Sequence, residues 1–293
     1  MNGAVVRAMW ERFELVHDLV YFAPEAHSAA DELGMRGFWM GYFAFRAAPL
    51  GPAPAAVVTS SFYVFHPERV ARAVPDAWRY ADPADVLSAR ERAMDAAMTR
   101  VLGPDTVGSA AMAEAADLAW EAAQAADTAG RVLGAANQAL PRPAQPHVRL
   151  WQAVTTLREH RGDGHIAALV GHGLGPVAAM ALKCAAGEAD EEVLRQTRKW
   201  DLPAWRAAQA ELLDRGWLDD GRLTPAGKAA RTAVEAGTDA AAASPWTALG
   251  PDATARLGRL LAPLAGAVRA SGLIPDGNPV GLPAATAADE EKV

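Results

Sequence analysis

The chain has 293 residues and a net charge of −7, and 51% of its residues are hydrophobic, a composition that excludes intrinsic disorder. The acidic excess argues against indiscriminate nucleic-acid binding, and the single cysteine, Cys184, excludes an intrachain disulfide and a multi-cysteine zinc site. No apolar run reaches the roughly 20 residues that a bilayer-spanning helix needs, and charged residues interrupt the N-terminus at helical intervals. We therefore expect a cytoplasmic protein with no membrane partner.

Helix signals dominate the first half of the chain. An apolar residue at every third or fourth position predicts an amphipathic first helix, and these residues are Met9, Phe13, Val16 and Val20. Pro24 suits the first turn of a second helix, and an aromatic third helix is predicted to end before Pro49. The segment 57–65 mixes β-branched and aromatic residues, but no partner strand is evident nearby, so we favour a buried helix there.

The segment LPRPAQP, residues 140–146, contains three prolines and can continue neither a helix nor a central strand. It predicts a linker between an N-terminal helical domain, 1–139, and a second domain, 147–271. The remaining residues, 272–293, are predicted to form a flexible tail.

The most specific pattern in the chain is the segment DLPAWRAAQAELLDRGWLDDGRLTPAG. A helix from Asp201 is predicted to end at Gly216, a residue suited to the position that follows a helix. WLDDGRLT then predicts a small hairpin, because its Asp220-Gly221 pair suits a tight turn. Thr224, followed by proline, predicts the cap and first turn of the next helix.

This order of helix, hairpin and Leu-Thr-x-x-Gly turn resembles the winged helix-turn-helix of MarR-type regulators, over roughly Leu150 to Leu264. GFWMGYFAFRAAPLGP and LREHRGDGH are similar to segments of an actinobacterial family of winged-helix-like proteins with an added N-terminal helical domain. The resemblance implies a mainly α fold, with an N-terminal helical domain and a C-terminal winged helix-turn-helix that carries a small β-hairpin wing. It transfers no mechanism to particular residues.

DNA binding by such a fold depends on cations near the recognition helix, which we place at 202–215. That helix and the hairpin tip are mixed in charge. The candidate DNA-contacting residues are Arg195, Arg198, Lys199, Arg206 and Arg222. The alternative is that Trp200, Trp205 and Trp217 fill the core or an interface while the charges are solvated, so that the domain is a scaffold.

The segment GFWMGYFAFR combines five aromatic residues with one cation. A helix that starts near Gly37 is aromatic over more than half its circumference, so it must be buried or line a cavity. Arg46 cannot lose its charge and needs an acceptor where it is buried. The candidate residues for binding an aromatic or anionic small molecule are His17, Phe38, Trp39, Tyr42, Phe45 and Arg46. The alternative is a structural ion pair between Arg46 and Glu14 of the first helix.

Two functions remain open at this point. The first is a small-molecule-binding winged-helix protein, either a ligand-responsive transcriptional regulator or a binding protein. The second is an enzyme on the same scaffold, whose acid–base candidates are Glu14, His17, Tyr21, His27, Arg46 and His66. No catalytic signature is recognisable in the sequence, so we favour binding, and no cofactor is predicted.

The segment HRGDGH places His160 and His165 five positions apart with glycines between them. Helical metal sites use spacings of three or four, so we predict a turn, in which His160 ends one helix and Asp163 caps the next. No metal site is predicted. Cys184 is predicted to be a small buried hydrophobic residue and not a nucleophile.

An apolar stripe follows the predicted winged helix, and it consists of Leu257, Leu260, Leu261 and Leu264. Such a stripe suits a partner helix, so we predict a homodimer. The alternative is that the stripe packs on the N-terminal domain of the same chain.

Overall fold

The structure, a computed structural model, describes residues 1–275, 277, 278 and 280. It is mainly helical, as the sequence predicted, and the predicted tail, 272–293, lies largely outside the described residues. The first ten helices are α1 (Gly3–Phe22), α2 (Pro24–Glu32), α3 (Gly37–Ala47), α4 (Ala55–Phe62), α5 (Pro67–Ala71), α6 (Ala77–Tyr80), α7 (Pro83–Leu102), α8 (Pro104–Val107), α9 (Ala110–Gln124) and α10 (Val132–Gln138).

The predicted N-terminal helices form where their end signals place them. α1 begins after Asn2, whose side-chain oxygen accepts a hydrogen bond from the Ala4 N–H at 3.0 Å. α3, the aromatic helix, passes into a short 3-10 turn, Ala48–Leu50. The helical interpretation of 57–65 is confirmed up to the end of α4, and the chain leaves the helix at Tyr63, whose φ is 58°.

The second half of the chain continues with helices and one hairpin. These are α11 (Pro146–Gly171), α12 (Pro176–Ala185), α13 (Glu191–Arg198), α14 (Leu202–Asp214), β1 (Leu218–Asp219), β2 (Arg222–Leu223), α15 (Pro225–Ala241), α16 (Ser244–Leu249) and α17 (Pro251–Ala270). Within the described ranges, no single helix is long and apolar enough to cross a membrane. α11 and α12 pass that test only when they are joined, and they are bent by 96°.

α11 is continuous where the sequence predicted a turn. His160 and Asp163 lie inside it, so the predicted helix end and cap are wrong. A Cβ at Gly164 would overlap the Arg131 guanidinium, which donates to the carbonyl oxygens of His160 and Ala241 at 2.7 Å each. The glycine therefore permits a close approach between neighbouring segments and does not make a turn.

The hairpin forms at the position that its turn residues predicted. Leu218 pairs with Leu223 and Asp219 with Arg222, in antiparallel register. The turn residues between them, Asp220 and Gly221, have φ values of 45° and 72°, as a tight turn of this kind requires.

The described residues pack around two hydrophobic cores. The larger core joins the N-terminal helices to the first half of α11 and to α16 and α17, and the smaller core joins the end of α11 to α12–α15. Residues 140–145 connect α10 to α11 without regular secondary structure, and Pro146 begins α11. They do not separate the two cores, because Trp151 and Leu257, which follow them, are buried in the larger one.

The apolar stripe of α17 is buried within the chain. Leu257 and Leu261 are fully buried, and Leu264 is 6% exposed. α17 packs against α1 so closely that a Cβ at Gly258 would lie 3.3 Å from the Met9 sulfur. The prediction that this stripe meets a partner helix is therefore wrong, and its alternative, packing on the N-terminal helices, is correct.

Candidate functional site

A cavity of about 870 Å³ lies between the N-terminal helices and the helices of the smaller core. Residues of α1, α3 and the segment 61–65 line one side of it, and residues of α11, α12, α13 and α15 line the other. Small-molecule sites have volumes of roughly 300–1,000 Å³. The cavity is therefore large enough for a cofactor-sized or drug-sized molecule.

The aromatic wall of this cavity consists of Phe38, Trp39, Tyr42, Phe62 and Phe65. The ring centroids of Trp39 and Tyr42 are 5.5 Å apart, and those of Tyr42 and Phe65 are 5.6 Å apart. Phe38 is 48% exposed, which places it at an open edge. Phe45, a predicted ligand-binding residue, does not line this cavity, because it is buried in the larger core.

Arg46 forms a buried ion pair, but its partner is not the predicted Glu14. Its Nε donates to Glu159 Oε1 at 2.7 Å, and its Nη2 donates to Glu159 Oε2 at 2.9 Å. Arg158 connects the two carboxylates, since it donates to Glu159 at 3.0 Å and to Glu14 at 3.2 Å. Trp10 completes this network with a 2.9 Å hydrogen bond from its Nε1 to Glu14.

The electrostatics of the network favour its charged form. Burial alone would raise the pKa of Glu159, but the charges of Arg46 and Arg158 outweigh it and lower that pKa. Burial likewise disfavours the charge of Arg46, yet the Glu159 carboxylate raises the pKa of the guanidinium. Arg46 is thus neutralised within the protein, as the structural alternative required.

His17 and Tyr21 face a second, much smaller void on the inner side of Arg46. It measures about 20 Å³, enough for about one water molecule. His17 Nε2 lies 3.0 Å from the Tyr21 hydroxyl, and its Nδ1 lies 3.0 Å from Thr155 Oγ1. Burial, followed by the charge of Arg158, lowers the pKa of His17 well below its usual value. His17 therefore lies outside the lining of the large cavity, where it was predicted to contact the ligand.

A second group of lining residues is charged, and this charged wall of the large cavity consists of Arg7, Arg161, Lys183, Glu188, Arg231 and Glu235. Arg231 forms ion pairs with both Glu188 and Glu235. Arg7 also forms an ion pair with Glu235. Burial would raise the pKa of Glu235, but the neighbouring arginines outweigh burial and lower this pKa to about 2. Arg161 Nη1 lies 2.8 Å from Asp239, behind the wall.

The segment 63–69 comprises the link between α4 and α5 and the first residues of α5, and it contacts the turn between α13 and α14. The indole Nε1 of Trp200 donates to the Val64 carbonyl at 2.8 Å, and the His66 N–H donates to the Arg198 carbonyl at 3.0 Å. The ring of His66 also contacts the Trp200 ring edge-on, with centroids 4.7 Å apart. Tyr63, Val64 and Phe65 line the cavity as well, so one segment contacts both the cavity and the turn.

Of the predicted DNA-contacting residues, Arg198 is buried in this structure. It is only 9% exposed, its guanidinium carbon lies 4.5 Å from the centre of the Phe65 ring, and it lines the cavity. A cation in that position cannot reach a phosphate while the protein keeps this conformation.

The other predicted DNA-contacting residues lie on the outer surface. Arg195 is hydrogen-bonded to Glu192, and Lys199 pairs with Glu68 at 2.9 Å. Arg206 on α14 and Arg222 on β2 are exposed and form no ion pair with any residue that the structure describes. Trp205 is fully buried in the smaller core, as the scaffold alternative expected.

The remaining candidates have structural partners. His27 Nε2 contacts the Tyr21 carbonyl oxygen at 3.1 Å, and His66 caps α5 by accepting from the Glu68 N–H. Burial raises the pKa of Cys184 to about 11, which disfavours the thiolate, although this residue is half-buried and not fully buried. Across the described part of the chain, no three His, Cys, Asp or Glu side chains are grouped as metal ligands.

Glu159 and Arg158, the partners that α11 supplies, were not predicted. Both belong to LREHRGDGH, which was interpreted as a segment similar to the family and as a turn without a metal site. The signal that could have identified them is the pair of adjacent opposite charges directly after the apolar residues Leu150, Val154 and Leu157, since a buried charge needs a partner.

The arrangement of α13 and α14, joined by a tight turn and followed by a hairpin, defines a helical protein of the helix-turn-helix class. A family model described as a helix-turn-helix family matches residues 6–275, and the chain belongs to this family. Membership indicates a DNA-binding protein of the regulator type. Comparisons with curated proteins and with solved structures found no match.

Proposed function

We propose that this protein is a ligand-responsive transcriptional regulator, in which a small molecule in the large cavity alters the DNA affinity of α13 and α14. On this proposal α12–α15 and the hairpin form a MarR-like winged helix, with α14 as the recognition helix and the hairpin as the wing. The observation that supports it is the 870 Å³ cavity, whose walls belong to the aromatic α3 on one side and to helices next to the helix-turn-helix on the other.

The aromatic wall suits a molecule with a flat or apolar body. Aromatic rings bind such a body through area burial and ring stacking. Tyr42 lines the cavity, and its hydroxyl has no hydrogen-bond partner among the described residues, so on this proposal the hydroxyl orients a polar group of the ligand. Arg46 contributes its aliphatic part and little net charge, because Glu159 neutralises it.

On this proposal, the segment 63–69 transmits the effect of ligand binding to the DNA-binding helices. Phe65 belongs to the aromatic wall, and Val64 accepts the hydrogen bond from Trp200 in the turn between α13 and α14. A ligand that favours one position of Phe65 therefore also favours one position of that turn. Such differential binding is what shifts a conformational equilibrium.

DNA contact is assigned to the exposed cations Arg206 and Arg222. Both lie in the elements that enter or flank a groove in winged helices, the recognition helix and the wing. We keep the predictions of a cytoplasmic location and of a homodimer. Its interface must lie outside the buried stripe of α17.

The test measures ligand and DNA binding on the full chain. Native mass spectrometry identifies a copurifying small molecule, and mobility-shift assays with DNA from upstream of the protein's own gene are run with and without it. Tyr42→Phe should weaken ligand binding several-fold, while Tyr80→Phe, an exposed tyrosine outside the cavity, should not. The proposal fails when DNA binding is identical at all ligand concentrations, or when no DNA fragment binds.

A further inference from the structure

Lys183 enters the cavity from the last turn of α12. No described carboxylate forms an ion pair with its amine, whose Nζ donates to the backbone oxygen of Val280 at 3.2 Å. The nearby carboxylates of Glu188 and Glu235 are both bonded to Arg231. The amine therefore faces the cavity without direct neutralisation by any described acid.

We propose that Lys183 is the anion-anchoring residue of the cavity, and that the ligand is an aromatic or apolar molecule that carries a carboxylate or another oxyanion. This inference rests on the proposed small-molecule site and specifies its chemistry. The Val280 carbonyl oxygen shows that an oxygen acceptor can reach Nζ inside the cavity, at 3.2 Å.

The balance of charge in the cavity distinguishes Lys183 from the arginines. Arg46 and Arg158 pair with Glu159 and Glu14, and Arg231 pairs with Glu188 and with Glu235, which it shares with Arg7. An added anion gains less from a cation that is already paired, whereas it supplies a counter-charge that no described residue gives to Lys183. Burial lowers the pKa of Lys183, with Glu188 opposing and the arginines reinforcing that effect, which agrees with an ammonium that forms no ion pair among the described residues.

The two ends of the ligand follow from the two walls. The aromatic wall offers stacking surface from α3, and Lys183 offers its cation from the charged wall of the same cavity. An elongated molecule with a ring system at one end and an oxyanion at the other can contact both walls at once.

Two fluorescent probes with the same ring system test this assignment on the full-length protein. Anilinonaphthalene sulfonate carries an anion, and N-phenylnaphthylamine is its uncharged counterpart. Both should bind to the wild-type protein. Lys183→Met should weaken binding of the sulfonate by about tenfold or more, the effect expected when a charge-assisted hydrogen bond is lost, and leave the uncharged probe within about twofold. Lys228→Met, which removes an exposed lysine of α15 outside the cavity, is the matched control and should change neither probe.

Each other outcome has a distinct meaning. Unchanged sulfonate binding in Lys183→Met overturns the role of Lys183 and leaves the small-molecule site intact. An equal loss of both probes overturns it as well, because Lys183 would then support the cavity and not the anion. Failure of both probes to bind to the wild-type protein contradicts the proposed small-molecule site itself.

Discussion

Arg46 donates two parallel hydrogen bonds to the carboxylate of Glu159, which lies 113 positions further along the chain. The pair joins the aromatic helix α3 to the central helix α11, and the side chains of Arg46 and Glu159 are only 10% and 2% exposed. Phe62 covers the guanidinium, with its ring centre 4.1 Å from the Arg46 Cζ. A buried pair in this geometry fixes the position of α3 relative to α11, and both helices contribute residues to the lining of the cavity.

Loss of either partner should destabilise the fold, and to different extents. Arg46→Ala leaves Glu159 with Arg158 as its remaining cation, so we expect a loss near the lower end of the about 3–5 kcal/mol typical of a broken buried pair. Glu159→Ala leaves both arginines without their shared carboxylate and should cost more. Chemical denaturation of both variants measures the two free energies of unfolding. Arg206→Ala, on the surface, serves as a control within about 0.5 kcal/mol of wild type, and the reverse order of the two losses would contradict this account.

The position of Arg46 on an aromatic helix could be predicted from the sequence, whereas its partner could not. The aromatic helix, the Asp220-Gly221 turn and the Thr224 cap depend on residues close together in the chain, so local patterns identified them. The choice of Glu159 over Glu14 depends on how α1 and α11 pack, which no local pattern encodes.

The glycines of α11 led to the wrong prediction of a turn for a related reason. A glycine that makes room for a neighbour and a glycine that makes a turn look the same in one sequence. Gly164 is of the first kind, because the guanidinium of Arg131 occupies the space a side chain would need.

Gly164→Ala should therefore destabilise the protein although alanine favours helices. The new methyl group would displace Arg131 from its two carbonyl acceptors and lie 3.0 Å from Ala241, at a cost of about 1–3 kcal/mol. Gly171→Ala, in the same helix with nothing within 4 Å, is the matched control. Its stability should be unchanged or up to about 1 kcal/mol higher. Equal thermal stability of the two variants would show that the contact with Arg131 is not important.

Asp18 should make the stability of the protein depend on pH. The residue is fully buried on α1, and neither carboxylate oxygen has a hydrogen-bond partner among the described residues. Burial, then the charge of Glu14, raises the pKa of Asp18 well above its usual value. The folded state thus prefers the protonated acid, so stability falls as pH rises from the unfolded value of about 4 towards the folded pKa. Asp18→Asn removes this titration.

Denaturation of Asp18→Asn and wild type across this pH range provides the measurement. The variant should be the more stable protein at pH 7, and its advantage should shrink as the pH falls towards about 4. A constant difference between the two proteins would mean that Asp18 keeps the same pKa on unfolding. Asp105→Asn, on the short helix α8 at the surface, should show no pH-dependent difference.

DNA binding should respond to the exposed cations of α14 and β2 and not to Arg198. Each phosphate contact that is lost should lower the slope of log affinity against log salt concentration by about 1. We therefore expect Arg206→Ala and Arg222→Ala each to weaken binding and flatten this slope, whereas Arg79→Ala, an exposed arginine of α6 far from the helix-turn-helix in sequence, leaves both unchanged. Fluorescence anisotropy at several salt concentrations provides the slopes. Wild-type slopes in both helix-turn-helix variants, with tight binding retained, would place the DNA on another face of the protein.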